Sequence, residues 1–275
     1  MITLLPIHSL DLPDLQPDLQ PYRTLRRPLD HQRQGIFVAE GEKVVRRLLE
    51  SKLTVISLLV TPEWLTSIRL HLESRPEDVA VFLADKKLLE SIVGFNLHQG
   101  IMAVARIPDP LPIDQVLDNC RSPYLLVAID GLTNAENLGV LVRNCVAFGV
   151  QAIIVGETSS SPYLRRAVRN SMGTIFKLPV VHVTSLAQTL TDMCQRFGIR
   201  SIATDPHATE ERIEQVDLKS GCCLVFGSEG EGIRPNVLEA CDERVAIPMQ
   251  SNVDSLNVAS ASAVFLYEAY LQRIR

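Results

Sequence analysis

The sequence predicts an α/β protein in two parts, the larger and later of which is built on a parallel sheet. Three observations predict this. Short, continuous apolar runs recur after residue 123, as strands buried on both faces require. Amphipathic helical patterns separate those runs, which is the alternation of a sheet covered by helices. A proline-dense stretch from Ile107 to Pro123 divides this region from a smaller α/β pattern before it.

The first 21 residues read as a leader. The string L-P-D-L-Q-P-D-L-Q-P spaces its prolines too closely for a helix, so a poorly ordered segment is expected. Between residues 22 and 107 a small α/β domain is expected. Val44, Val45, Leu48 and Leu49 fall at helical spacing within Glu42 to Ser51, and strands are read at Thr54 to Val60, Val79 to Leu83 and Ile101 to Ala105. Residues 108–122 serve as the linker. From residue 123 onward, strands are read at Leu125 to Ile129, Ala152 to Val155, Ile199 to Ala203, Cys222 to Phe226 and Val245 to Ile247. Helices are expected at Leu138 to Phe148, Tyr163 to Asn170 and Leu186 to Phe197, the first and last stopped by Gly149 and Gly198. A final helix from about Ser255 places Leu256, Ala259, Ala263, Leu266 and Tyr270 on one stripe. In such a sandwich, ligands bind at the carboxyl ends of the strands.

Composition narrows the function. The 275 residues are 46% hydrophobic and 21% charged, and no apolar run reaches the roughly 18 residues that span a bilayer. Met1 to Arg23 carries three aspartates and no base before Arg23, unlike a secretory signal, so a cytoplasmic location without membrane contact is expected. The six cysteines form no C-x-x-C pair and the six histidines lack paired spacing, so neither a metal nor a disulfide scaffold is expected. A net charge of −5 argues against a protein basic all over, yet bases cluster locally. Between Tyr22 and Lys52 eight of them (Arg23, Arg26, Arg27, Arg33, Lys43, Arg46, Arg47 and Lys52) meet only four acids, and Tyr163 to Lys177 holds Arg165, Arg166, Arg169 and Lys177 with no acid.

Three segments put glycine, asparagine and charge directly after buried strands. In Asp130 to Gly139, Asn137 reads as the opening cap of a helix, and Arg143 lies one to two turns deeper. Gly227-Ser228-Glu229-Gly230-Glu231-Gly232 carries three glycines that permit close backbone approach to a ligand. It is neither a dinucleotide fingerprint nor a phosphate loop, which disfavours an NAD-dependent oxidoreductase. Ile247 to Ser260 begins with a proline-fixed turn and reads as a helix start capped by Asp254 or Ser255. Such a cap leaves Asn257 unexplained inside the first turn.

Together the segments resemble a known family. D-G-L-T-N-A-E-N-L-G-V-L-V-R-N-C-V-A-F-G resembles the first motif of the SpoU-type (TrmH-like) RNA ribose methyltransferases of the SPOUT superfamily. L-V-F-G-S-E-G-E-G-I with the later I-P-M resembles the second, and S-L-N-V-A-S-A-S-A-V-F-L-Y-E the third. F-V-A-E-G at Phe37 to Gly41 and Q-G-I at Gln99 to Ile101 are similar to the family's RNA-binding domain. One departure stands out: Ala135 occupies a position where the family usually has proline.

The resemblance implies a SPOUT-type parallel sheet whose C-terminal segment, within residues 123–275, forms a trefoil knot, preceded by a substrate-binding domain. It also implies S-adenosylmethionine held by the three loops at Phe226, Gly227, Ser228, Gly230, Ile247, Met249 and Leu256. The implied reaction carries the methyl group to a ribose 2′-hydroxyl of ribosomal or transfer RNA, with Asn137, Arg143, Glu229, Ser255 and Asn257 as the catalytic set. No cysteine nucleophile is needed for an oxygen acceptor. Arg23, Arg26, Arg27, Arg46 and Arg47, together with Arg165 and Arg169, are expected to meet RNA phosphates. A homodimer is expected, with the last helix contributing to the interface. A catalytically silent RNA-binding or ribosome-assembly factor of the same fold is the alternative.

Overall fold

The computed structural model describes residues 2–8, 16–97, 99–208, 211–250 and 253–274. The chain divides into two compact units, one comprising Met1–Asp109 with Tyr163–Phe176, the other Pro110–Pro162 with Lys177–Arg275.

In the first unit the elements run β1 (Ile2–Pro6), α1 (Gln16–Arg23), α2 (Pro28–Arg33), β2 (Ile36–Glu40), α3 (Glu42–Leu49), β3 (Val55–Val60), α4 (Pro62–Glu73), β4 (Val79–Leu83), α5 (Lys86–Val93) and β5 (Ile101–Arg106). The sheet order is β1-β4-β3-β5-β2, with β1, β4 and β3 mutually parallel and β5 antiparallel to β3 and β2. The core packs Tyr22, Phe82, Leu59 and Met102, and the Tyr22 hydroxyl lies 2.9 Å from the Ser57 hydroxyl.

Within the first 21 residues, the described stretches 2–8 and 16–21 depart from the poorly ordered leader expected there. Ile2 to Pro6 pairs with Val79 to Leu83, Ile7 and Leu19 are buried, and α1 forms despite its prolines. The physical reason is local. Pro17 stands in the first turn, where its missing N–H bonds nothing anyway, and Pro21 sits two residues from the helix end, so one bond is lost. Residues 9–15 of the proline-spaced string lie outside the described residues.

The second unit continues with α6 (Ile113–Asp118), β6 (Leu125–Ile129), α7 (Ala135–Ala147) and β7 (Ala152–Val155). Next comes α8 (Arg165–Asn170), which groups with the first unit, and then β8 (Val180–His182), α9 (Leu186–Phe197), β9 (Arg200–Thr204), β10 (Glu211–Arg212), β11 (Cys222–Phe226), α10 (Pro235–Glu239), β12 (Glu243–Ala246) and α11 (Val258–Ile274). The seven strands are all parallel in the order β10-β12-β9-β11-β6-β7-β8. The stretch expected as a bare linker contains α6, whose Val116 and Leu117 are buried against Leu126, Ile154 and Leu190. α11 packs on α7: Asn144 Nδ2 donates to the Ala259 carbonyl at 2.9 Å and to the buried Ser262 hydroxyl at 3.0 Å. The carboxyl ends of β6, β9 and β11, together with the segment after β12, lead into the candidate site.

Candidate functional site

The segments after β9, β11 and β12 line a cavity of about 410 Å³. Every residue expected to hold a cofactor is on its wall: Phe226, Gly227, Ser228, Gly230, Ile247, Met249 and Leu256. Glu229 and Ser255 line it too. Sequence reading missed the contribution of Thr204 to His207, since a loop without glycine carries no phosphate or nucleotide signature.

The wall around Gly227 is a closed five-residue turn. Ser228 N–H donates to the Gly232 carbonyl at 2.9 Å and Gly232 N–H returns a bond to Ser228 at 3.1 Å. A Cβ on Gly227 would stand 2.2 Å from the Gly232 carbonyl carbon, and Gly232 itself has φ +68°, so both glycines are demanded by the backbone. Phe226 meets Phe265 of α11 edge-on at 6.0 Å, which gives the cavity an aromatic floor.

At the wall, Glu229 joins two asparagines. Its Oε1 accepts from Asn257 Nδ2 at 2.7 Å and from Asn137 Nδ2, and Asn257 Nδ2 also reaches Asn137 Oδ1 at 3.1 Å. Helix starts explain this triangle, and they differ from the expected ones. Asn134, not Asn137, caps α7: its Oδ1 accepts from Glu136 N–H at 2.9 Å and Asn137 N–H at 3.2 Å. Ala135 therefore sits at the first helical position, where proline is favoured, and the Asn134 cap secures the turn without it. Asn137, one turn in, keeps its amide free for Glu229. Asn257, rather than Asp254 or Ser255, caps α11, its Oδ1 accepting from Ala259 N–H at 2.9 Å and Ser260 N–H at 3.4 Å. Capping consumes the Asn257 oxygen and leaves its nitrogen for the site.

Arg143 is not brought into this triangle. It is exposed, makes no hydrogen bond or ion pair among the described residues, and lies six residues from Asn137, about 120° around the helix. The bases expected to meet RNA are dispersed, and several are occupied. Arg165 and Arg169 both bind the buried Glu40 carboxylate, the latter at 2.8 Å, and Arg46 Nε bonds Glu42 at 2.7 Å. Arg47 donates to the Met172 carbonyl at 2.6 Å. Arg26 and Arg27 are exposed and Arg23 half-exposed.

Beneath the loops lies an ionic network with no sequence signature. Asp130, at 0% exposure, accepts from the Arg234 backbone N–H and Nε, each at 2.8 Å, and Arg234 extends to Glu157 at 2.7 Å. Partial burial by itself raises the Glu157 carboxyl, but its own backbone N–H, Arg234 and the Leu186 N–H outweigh burial and hold it below the usual carboxylate range. A carboxyl so depressed adds stability above the unfolded value of about pH 4.3 and loses it as the pH falls through the lower folded value. Glu157→Gln is therefore expected to lower the urea midpoint near neutrality, the gap from wild type closing as the pH falls through the lower folded value. A gap that widens in acid would contradict this assignment.

All six cysteines are free, and burial pushes those of Cys145, Cys223 and Cys241 upward, the last to about 12. None lines the cavity. Among the described residues no cluster of His, Cys, Asp and Glu has metal-holding geometry, and no helix is long and apolar enough to cross a membrane.

Comparison with known proteins gives consistent matches. The sequence pattern of the SpoU rRNA Methylase family matches residues 124–267. The 23S rRNA (guanosine-2′-O-)-methyltransferase RlmB of Ralstonia nicotianae is 38% identical over 196 residues, covering 71% of this chain and 78% of that protein. An uncharacterized tRNA/rRNA methyltransferase of Mycobacterium bovis is 32% identical over 273 residues, covering 94% and 92%. The crystal structure of the SpoU methyltransferase AviRb from Streptomyces viridochromogenes in complex with AdoMet is 26% identical with a TM-score of 0.81, covering 94% of this chain and 98% of that one.

Proposed function

The chain belongs to the SpoU rRNA methylase family, and from that premise we propose how its residues serve the family's chemistry. It is an RNA 2′-O-methyltransferase that uses S-adenosylmethionine to methylate a ribose hydroxyl. One observation carries the residue assignment: Glu229 lines the cavity and also binds Asn137 and Asn257, so one residue from each of the three motifs meets at one wall.

The cavity's chemistry fits the cofactor. Its volume falls in the usual range for small-molecule sites, roughly 300–1,000 Å³. Phe226, Val245 and Phe265 offer apolar contact for a purine, the 226–233 and 247–249 segments offer backbone groups, and Asp205, Glu229, Glu231 and Asp254 offer negative charge toward a sulfonium and an ammonium. When bound, S-adenosylmethionine supplies an electrophilic methyl group.

The chain's own residues align the acceptor. Asn137 and Asn257 fix one oxygen of Glu229, which sets the carboxylate against the wall, while Ser255 and Leu256 close the cavity beside them. Arg143 grips an RNA phosphate or the hydroxyl oxygen and stabilises the negative charge that develops there. Its guanidinium stays protonated and does not take the hydroxyl proton, which would pass to phosphate or water. Orientation of the hydroxyl is the main contribution. Arg143→Lys keeps the charge and loses the planar fork; turnover is expected to fall about 10²-fold, measured under single-turnover conditions. Wild-type turnover in that variant would remove the bidentate role.

A large-subunit ribosomal RNA is the favoured substrate, by likeness to the RlmB relatives. Residues 22–107 serve as the RNA-binding region, with residues 108–122 leading into the methyltransferase region, and the exposed Arg26 and Arg27 meet phosphates. The protein works as a homodimer in the cytoplasm. Support for the dimer is the exposure of Val140 on α7 and of Val264, Tyr267 and Tyr270 on α11, large apolar groups on packed neighbours. Support for the compartment is six thiols left free. The segment after β12 threads as a trefoil knot; β12 pairs between β9 and β10, whereas α11 returns to pack on α7. Incubation with labelled cofactor and RNA fractions, followed by alkaline hydrolysis, tests the whole reading. One resistant linkage at a defined nucleotide is expected. Label on bases, or none, would overturn it.

A further inference from the structure

A second cavity, about 180 Å³, lies wholly within the first unit, lined by Glu40, Gly41, Lys43, Val44, Gln99, Arg169 and Met172. Its acceptors are already used. Both Glu40 oxygens are taken, one by Arg165 and one by Arg169, and Gln99 Oε1 accepts from Glu42 N–H at 2.7 Å. Its donors are not. Gln99 Nε2, at the other end of that amide, has no partner among the described residues. Arg169, with 52% of its side chain exposed, spends only one N–H on Glu40, and Lys43 is exposed and unpaired among the described residues. Gly41 holds this arrangement open. At φ +94° it suits no other residue, and a Cβ there would press to 3.3 Å from the Gln99 oxygen.

A concave site whose one carboxylate is already paired with two guanidiniums, and whose unpaired groups are donors, two of them cationic, selects an anion. Its volume is smaller than the roughly 300 Å³ at which small-molecule pockets begin, so it admits a phosphate and not a whole nucleotide. We propose that this cavity seats one backbone phosphodiester of the substrate RNA, held by Lys43, Arg169 and Gln99 Nε2. The proposal rests on the RNA-methylating reading above. It assigns Arg169 both to Glu40 and to RNA, and removes Arg165 from RNA contact. Phosphate contacts position the nucleic acid without reading sequence.

The test compares wild type, Lys43→Gln and Lys43→Arg for binding to a 23S ribosomal RNA transcript over a salt series, with cofactor affinity and methyl incorporation measured in parallel. Losing one phosphate contact is expected to make the slope of log K against log salt shallower by about 0.7–0.9 in Lys43→Gln, while Lys43→Arg retains the slope. Cofactor affinity is expected to stay at the wild-type value. In a companion measurement, acylation of Lys43 is slowed by a uridine decamer and not by its uncharged methylphosphonate analogue. An unchanged slope in Lys43→Gln, or equal protection by the uncharged analogue, overturns the proposal. Methyl incorporation by wild type keeps that failure separate from failure of the methyltransferase reading.

Discussion

Gly227→Ala is expected to weaken S-adenosylmethionine binding by about 10- to 100-fold. The new methyl group would meet not a pliable side chain but the Gly232 carbonyl carbon at 2.2 Å and the Ile233 nitrogen at 2.3 Å. The turn from Ser228 to Gly232 must then open, carrying Glu229 away from Asn137 and Asn257. Overpacking of this kind costs about 1–3 kcal/mol, and about 1.4 kcal/mol is a decade in affinity. Calorimetric titration with the cofactor measures it directly. Gly230→Ala is the informative contrast: nothing stands within 4 Å of its Cβ, so a much smaller loss is expected. Equal affinities for wild type and Gly227→Ala would mean that this turn is not a wall of the cofactor site.

Glu40→Ala is expected to cost about 3–5 kcal/mol of stability, the usual consequence of removing one side of a buried ion pair. The carboxylate side chain is only 7% exposed, and it neutralises two guanidiniums at once. Arg165, at 18% exposure and stacked at 5.3 Å over Phe95, has little room to reach water once its partner is gone, and its Nε already lacks a bond. Chemical denaturation measures the loss, and amide exchange across α8 locates it. A change below about 1 kcal/mol would show that both arginines are solvated as if they were surface residues.

Residues whose neighbours in sequence decide their environment were the legible ones. Leu125–Ile129, Ala152–Val155, Cys222–Phe226 and Val79–Leu83 are strands as their apolar runs require, and Leu186–Phe197 runs between its serine cap and Gly198. Helix starts were harder, because several cap-forming residues stand in a row. In T-N-A-E-N and D-S-L-N-V, spacing alone does not say which asparagine or acid caps, since each of them could accept from an N–H two or three residues on. The leader was misread for a related reason: β1 is held by β4, whose sequence lies far away, and propensity is silent about such a partner. The cavity wall was legible through its glycines and the proline-fixed turn. The Asp130–Arg234–Glu157 network was not, since its members come from three segments far apart in the chain. Arg165 and Arg169 illustrate the converse: a basic run without acids in sequence found its acid 125 and 129 residues away.

The excursion of Tyr163 to Phe176 into the first unit has a consequence for how the molecule can be divided. Phe37, fully buried, stacks on Tyr163 at 5.2 Å and on Phe176 at 5.6 Å, and Glu40 three residues later depends on α8 for its countercharge. A fragment ending at Asp109 would carry a bared aromatic face and an orphaned anion. Scissors placed at the proline-rich seam would thus strip the first unit of a part of itself that the chain carries more than fifty residues further on.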